Sequence, residues 1–192
     1  NTHLETEGTI RNLNDPEKLF ITAQFGSSHI YQQDINQLLA SVEIPVYEEY
    51  GMINIETLTF SGELTDFKSK IVIATDRGSI SADGSFNFKQ PQMRYDFTLN
   101  TSGLDISPFA GMPTSLNLRG DLKGTGTDPA NMKAVLNLYA GGSSIDGNRF
   151  DTLRINSTAD NKIINYKLLA KQDTARASLH GTINFTDEQR PA

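Results

Sequence analysis

The sequence predicts an all-β fold, an elongated antiparallel meander carrying one or two short helices. Three observations lead there. Apolar and polar side chains alternate one by one through most of the chain. Clusters of Gly, Asn and Asp separate the alternating runs. A four-residue phrase built around a glycine recurs along the chain.

The alternation is clearest in five runs. Ile80, Ala82, Gly84, Phe86 and Phe88 alternate with serine, aspartate and asparagine. Met93, Tyr95, Phe97 and Leu99 alternate with Arg94, Asp96 and Thr98. Leu116, Leu118, Gly120 and Leu122 form a third run, and Leu153, Ile155, Ser157 and Ala159 a fourth. Ala175 to Phe185 gives the longest. Successive strand side chains point to opposite faces, so each run has one apolar and one wet face. That is the pattern of antiparallel sheets, since parallel sheets bury both faces.

Turn chemistry falls between the runs. Asp76-Arg77-Gly78, Lys89-Gln90-Pro91, Gly141-Gly142, Asp146-Gly147-Asn148, Asp160-Asn161-Lys162 and Gln172-Asp173-Thr174 are the predicted connections. Gly, Asn and Asp accept the positive φ of tight hairpins. Roughly a dozen strands, near half the chain, are expected. Two segments break the pattern. Tyr31 to Val42 places Ile35, Leu38, Leu39 and Val42 at helical spacing behind Asp34, a candidate N-cap. Asp105 to Pro113 is Pro-rich and short, room for one helical turn.

Composition limits the chemistry. The 192 residues hold 17 Lys+Arg and 23 Asp+Glu, a net charge of −6, with no Cys and no Trp. Disulfides, thiolate metal sites and Cys nucleophiles are excluded. An acidic chain is a poor partner for phosphate backbones, so no nucleic acid is expected. The hydrophobic share of 37% suits a sheet with one apolar face. No run approaches the ~18 apolar residues of a membrane span.

No catalytic constellation is apparent, and an enzyme is not expected. His3, His29 and His180 are scattered and read as solvent-facing strand residues. There is no G-x-S-x-G elbow. Glu48-Glu49 and Asp187-Glu188 read as solvated pairs. Gly120 to Gly126 is Gly-rich but lacks the P-loop ending. Arg119-Gly120-Asp121 spells an adhesion tripeptide, yet Gly120 keeps phase with Leu118 and Leu122 inside a strand. Neither cofactor nor metal is implied.

The glycine phrase occurs as Glu7-Gly8-Thr9-Ile10, Ser61-Gly62-Glu63-Leu64, Arg119-Gly120-Asp121-Leu122 and His180-Gly181-Thr182-Ile183. Its glycines lie 54, 58 and 61 residues apart. Asp15-Pro16 follows the first and Asp128-Pro129 the third, each leading into a strand. The chain therefore reads as a single fragment of a longer repeat structure, with approximate repeats 4–57, 58–115 and 116–176 and the start of another at 177–192. Unpaired strand edges are expected near Leu4 to Ile10 and Leu179 to Phe185, with edge-to-edge self-association.

On the recurring phrase, on Phe25-Gly26-Ser27-Ser28-His29-Ile30-Tyr31 running into a helix, and on Leu116 to Gly124 followed by a hairpin, the chain resembles the C-terminal region of the TamB family, in the AsmA-like group as seen in Bacteroidetes. The resemblance implies a curved, β-taco-like trough lined with apolar side chains. It also implies a periplasmic location, in a parent protein anchored in the inner membrane. Implied partners are phospholipid or another acyl-chain ligand and an Omp85-type outer-membrane barrel. The implied role is carrying lipid between membranes or supporting outer-membrane protein assembly.

The residues expected to line the groove are Ile80, Phe86, Phe88, Tyr95, Phe97, Leu99, Leu118, Leu136, Leu138, Leu153, Ile155, Tyr166, Leu168, Leu179 and Ile183. The same set would serve as the packed core of a closed β-sandwich, the alternative fold. With that fold goes the alternative function, a secreted or surface module binding protein or glycan.

Overall fold

The computed structural model describes residues 2–31, 34, 51–89 and 92–186. Strand content is 70% of these residues, well above the expected half. They form one open antiparallel sheet of 13 strands. In chain order the strands are β1 (Thr6–Arg11), β2 (Phe20–Phe25), β3 (Ser28–Tyr31), β4 (Met52–Glu63), β5 (Asp66–Thr75), β6 (Gly78–Asn87), β7 (Arg94–Ser102), β8 (Thr114–Ser115), β9 (Leu118–Thr125), β10 (Lys133–Ile145), β11 (Asn148–Asp160), β12 (Ile163–Gln172) and β13 (Ala175–Asn184). A 3-10 turn (Pro16–Lys18) precedes β2, and a one-turn helix, α1 (Ser107–Ala110), precedes β8. The order across the sheet is β1-β2-β4-β5-β6-β7-β9-β10-β11-β12-β13, with β3 also beside β4 and β8 beside β10. A meander is the result, not the two packed sheets of a sandwich.

The hairpins follow from their turn residues. Asp146 and Gly147 have φ of 49° and 74°, and Asn161 and Lys162 have φ of 43° and 71°. Positive φ at both central residues matches the right-handed twist of the flanking strands. One predicted turn is corrected. Gly141-Gly142 does not reverse the chain but lies within β10. Gly142, at φ 61°, sits opposite the gap between β8 and β9. Leu118 faces Ala140 there but Ser115 faces Ser144, so the register slips by one. A glycine absorbs the slip because the left-handed region costs it nothing.

Buried hydroxyls replace the ladder bonds lost at the gap. The Thr101 hydroxyl donates to the Leu116 carbonyl (2.8 Å) and accepts from the Leu118 amide (3.0 Å). The Ser143 hydroxyl accepts from the Asn117 amide (2.9 Å). A matching gap separates β2 from β3, where the buried Ser28 hydroxyl accepts from the Glu5 amide (3.0 Å). Both gaps lie at the same end of the sheet. The pairing with Met52–Ile55 begins at Ile73's register position and runs outward from it, and the pairing with Ser144–Ile145 lies beyond Ala140.

The predicted turn of helix within Asp105 to Pro113 is α1, closed by Gly111 at φ 67°. Asp105 ties it to the sheet. Its carboxylate accepts from the Ser107 amide (2.8 Å), the Ser107 hydroxyl (3.0 Å), the Thr114 hydroxyl (3.1 Å) and the Arg77 guanidinium (2.5 Å). The Ser107 amide is the largest cause holding the carboxyl down to about 2; desolvation opposes it, and the two hydroxyls and Arg77 add to it. The predicted helix from Tyr31 to Val42 lies, beyond Tyr31 and Asp34, outside the described residues. So do Gln90-Pro91, Glu48-Glu49 and Asp187-Glu188.

Candidate functional site: a continuous apolar sheet face

Strand register assembles the alternating runs into rows that cross the sheet. One row reads Ile10, Ile21, Gly62, Phe67, Phe86, Tyr95, Gly124, Ala134, Ala159, Ile164, Ile183. The next reads Gly8, Ala23, Phe60, Ser69, Gly84, Phe97, Leu122, Leu136, Ser157, Tyr166, Gly181. A third reads Thr6, Phe25, Leu58, Ile71, Ala82, Leu99, Gly120, Leu138, Ile155, Leu168, Leu179. A shorter row holds Ile73, Ile80 and Thr101, then Leu118, Ala140, Leu153, Ala170 and Ala177. No charged residue enters any row. At the ~4.8 Å strand spacing the long rows run for about 50 Å.

All the residues predicted to line a groove share this face. Fourteen of the fifteen stand in the rows, and Phe88 follows β6 with its ring 6.5 Å from Phe86 and 6.3 Å from Phe67. Tyr95 is corrected in its exposure. At 8% it is buried, its hydroxyl donating 3.1 Å to the Gly126 carbonyl, and burial pushes that hydroxyl's pKa up. It packs the face from beneath and offers little surface to a ligand. Sequence reasoning left out Leu58, Phe60, Phe67 and Ile71. The apolar run Ile71-Val72-Ile73-Ala74 hid the phase of β5, although Phe67, Ser69 and Ile71 alternate with Lys68 and Lys70. Phe60 and Phe67 stack at 4.9 Å, and the ring array continues through Phe86 to Phe97 at 5.5 and 5.9 Å.

Three glycines of the phrase, with Gly124, make room for rings, while Gly8 faces Ala23 and Gly120 lies between Leu99 and Leu138. Gly62 faces Phe67, Gly84 faces Phe97, Gly124 faces Tyr95 and Gly181 faces Tyr166. A Cβ on Gly84 would stand 2.4 Å from the Phe97 Cβ, and one on Gly181 2.7 Å from the Tyr166 hydroxyl oxygen. Glycine beneath an aromatic ring is thus a cross-strand packing unit. Asp83-Gly84-Ser85-Phe86 is a further copy of the phrase. With it the phrase falls on β1, β4, β6 and β9, every second strand of the sheet order, and then skips β11 to reappear on β13, so its spacing is one hairpin or two.

Exposure alternates with the rows. Along β7, Arg94, Asp96, Thr98 and Asn100 are exposed while Tyr95, Phe97, Leu99 and Thr101 are buried or half-buried. Among the described residues no second sheet covers the face, so the shielding comes from side chains of adjacent rows. Toward the β13 edge it fails, and Leu179 is 56% exposed. The opposite face carries polar rungs. Lys123 bonds Asp96 (2.7 Å), Asn137 bonds Asp121 (2.8 Å) and Thr182 bonds Asn165 (2.8 Å). Asp96 raises the Lys123 pKa.

The other sequence candidates are placed as follows. His180 is an exposed residue of β13. His3 and His29, far apart in sequence, are brought together by a backbone bridge, their rings 5.7 Å apart. Among the described residues no group of three or more His, Cys, Asp or Glu side chains forms a metal cradle. Arg119-Gly120-Asp121 lies within β9, Gly120 buried. No described helix is long and apolar enough to cross a membrane. No family model, no curated protein and no solved structure matches the chain.

Proposed function

We propose that the apolar face binds acyl chains, and that the chain is a segment of an envelope protein carrying lipid between membranes or supporting outer-membrane protein assembly. One observation supports this: charge-free rows cross the whole sheet with no second sheet upon them among the described residues. An acyl chain needs such a surface and no catalytic group. Each sheltered CH₂ gains about 0.8 kcal/mol, so a tail lying along a row is held by many small increments and released without a barrier of chemistry. A strip of about 50 Å also exceeds the ~30 Å hydrocarbon core of a bilayer. The periplasmic location, inner-membrane anchor and Omp85-type partner come from the TamB-like resemblance and belong to the same proposal.

The test is lipid extraction and mass spectrometry on the purified chain, beside Phe97→Asp and Leu136→Asp. Co-purifying phospholipid, lost in variants that keep their β-sheet circular dichroism, is the expected result. Lipid-free protein that also fails to take up a fluorescent fatty acid overturns the proposal.

A further inference from the structure

The alternation of apolar and polar side chains lapses on two strands. On β6, β7, β9 and β11 the wet face carries no apolar side chain. On β10 it carries Val135 and Tyr139, and on β12 Ile163 and Leu169. Strands apolar on both faces are the kind that a fold covers on both. Here Val135 is 45% exposed, Tyr139 41% and Ile163 40%. One exposed apolar residue is ordinary, but several sharing a face mark a contact surface. Each strand from β9 to β12 has a described strand on both sides, so this surface belongs to the interior of the sheet and not to its margin.

The same surface is cationic. One of its rows reads Arg119, Tyr139, Arg154, Leu169, and the next Asp121, Asn137, Asn156, Lys167. The Tyr139 ring lies along β10 over Gly141, where a Cβ would stand 2.8 Å from its hydroxyl oxygen. The Arg154 guanidinium sits over that ring, 5.6 Å from its centre. The Arg119 Nε donates to the Asn100 side-chain oxygen (3.2 Å). Among the described residues Arg119, Arg154 and Lys167 make no ion pair. Asp121 is the one carboxylate of the two rows. It accepts from the Asn137 amide (2.8 Å), which accepts in turn from Asn156 (2.8 Å). On a chain of net charge −6 this is a local excess of positive charge. A hollow of about 250 Å³ opens between Val135, Asn137, Asn156, Thr158, Asn165 and Lys167.

We propose that the wet face of β9 to β12 is a docking surface for an acidic polypeptide. Its Asp or Glu side chains would meet Arg119, Arg154 and Lys167, and an apolar side chain would enter the hollow beside Val135. Charge complementarity sets the sign of the partner. The apolar side chains select a polypeptide over an anionic bilayer. Lipid headgroups ask only for positive charge, whereas protein interfaces join an apolar centre to Tyr and Arg anchors. The surface lies on the opposite side of the sheet from the charge-free rows, so the proposal does not require that those rows bind lipid.

The probe is a labelled peptide of glutamates interspersed with leucines, followed by fluorescence anisotropy against the purified chain. Binding is expected, weakening as salt rises. Arg154→Glu should weaken it at least about tenfold and Tyr139→Thr at least about fivefold, each with the sheet's circular dichroism retained. Lys70→Glu, the same change of charge at an exposed wet-face position of β5, should leave it unchanged. A peptide that does not bind overturns the proposal. So does a loss as large in Lys70→Glu as in Arg154→Glu. Tyr139→Thr binding as tightly as the natural chain overturns it too, and with tight binding to phosphatidylglycerol vesicles points to a membrane surface instead.

Discussion

Two glycines of the recurring phrase make opposite predictions when given a methyl group. Gly84 and Gly120 both have extended backbone, so neither substitution is strained in φ. At Gly84 a new Cβ would meet the Phe97 Cβ at 2.4 Å, the Asp96 carbonyl oxygen at 2.9 Å and the Phe97 Cα at 3.0 Å. None of these atoms can rotate away, so β6 and β7 must part. Overpacking of this kind costs about 1–3 kcal/mol. The lower chain entropy of alanine returns about 0.5–1 kcal/mol. Gly84→Ala should therefore lose about 1–2 kcal/mol. At Gly120 the nearest atoms are the Leu138 Cδ1 at 3.0 Å and the Asn137 carbonyl oxygen at 3.4 Å. A leucine methyl can turn aside, so Gly120→Ala should be neutral or gain up to about 0.5 kcal/mol. Urea unfolding followed by circular dichroism, with equal m values, measures both. If Gly84→Ala proves as stable as Gly120→Ala, the close approach of ring-bearing strand to glycine is not what positions those glycines.

Other expectations follow from the open face and from the α1 anchor. Ala82, half-buried between Ile71 and Leu99, should accept leucine at a cost under about 1 kcal/mol, whereas a closed core would charge about 1–3 kcal/mol; thermal melts distinguish the two. The Asp105 carboxyl is held at about 2 against an ordinary 3.8. Its stabilisation is therefore complete above the unfolded value and is lost as pH falls from about 4 toward 2. Partial exposure limits it to about 1–2 kcal/mol. Asp105→Asn should flatten that part of the acid limb in stability measured against pH, and an unchanged limb would refute the assignment.

Much of the sheet was legible because its physics is local. Alternation sets the faces of β6, β7, β9, β11 and β13, and Asp-Gly and Asn-Lys set the hairpins, so Phe86, Phe97, Leu118 and Ile155 share one face as expected. What escaped depends on partners distant in sequence. Gly141-Gly142 has turn chemistry, but its neighbours in β8 and β9 make it the place where register slips. Phe60 and Phe67 were overlooked because β4 carries its own slip between Ile55 and Thr57 and β5 has no polar break in Ile71–Ala74. Tyr95 stands on the expected face, yet its burial comes from Gly124 of β9 and from Gly126 just after that strand. The pairing of His3 with His29 has no sequence signal, because it is made by backbone bonds between segments that share no spacing.

The strand order bears on how such a sheet comes apart. Among the described residues nearly every strand pairs with its neighbours in the chain, and no strand returns to close the sheet on itself. Cohesion is then handed from hairpin to hairpin, as in a one-dimensional array. Among the described residues β1 and β13 are each held from one side, so within this sheet opening begins there and its free energy rises inward. Amide exchange should trace that gradient, slowest in β6, β7 and β9 and fastest at both margins. Losing a terminal hairpin would shorten the apolar strip without abolishing what remains.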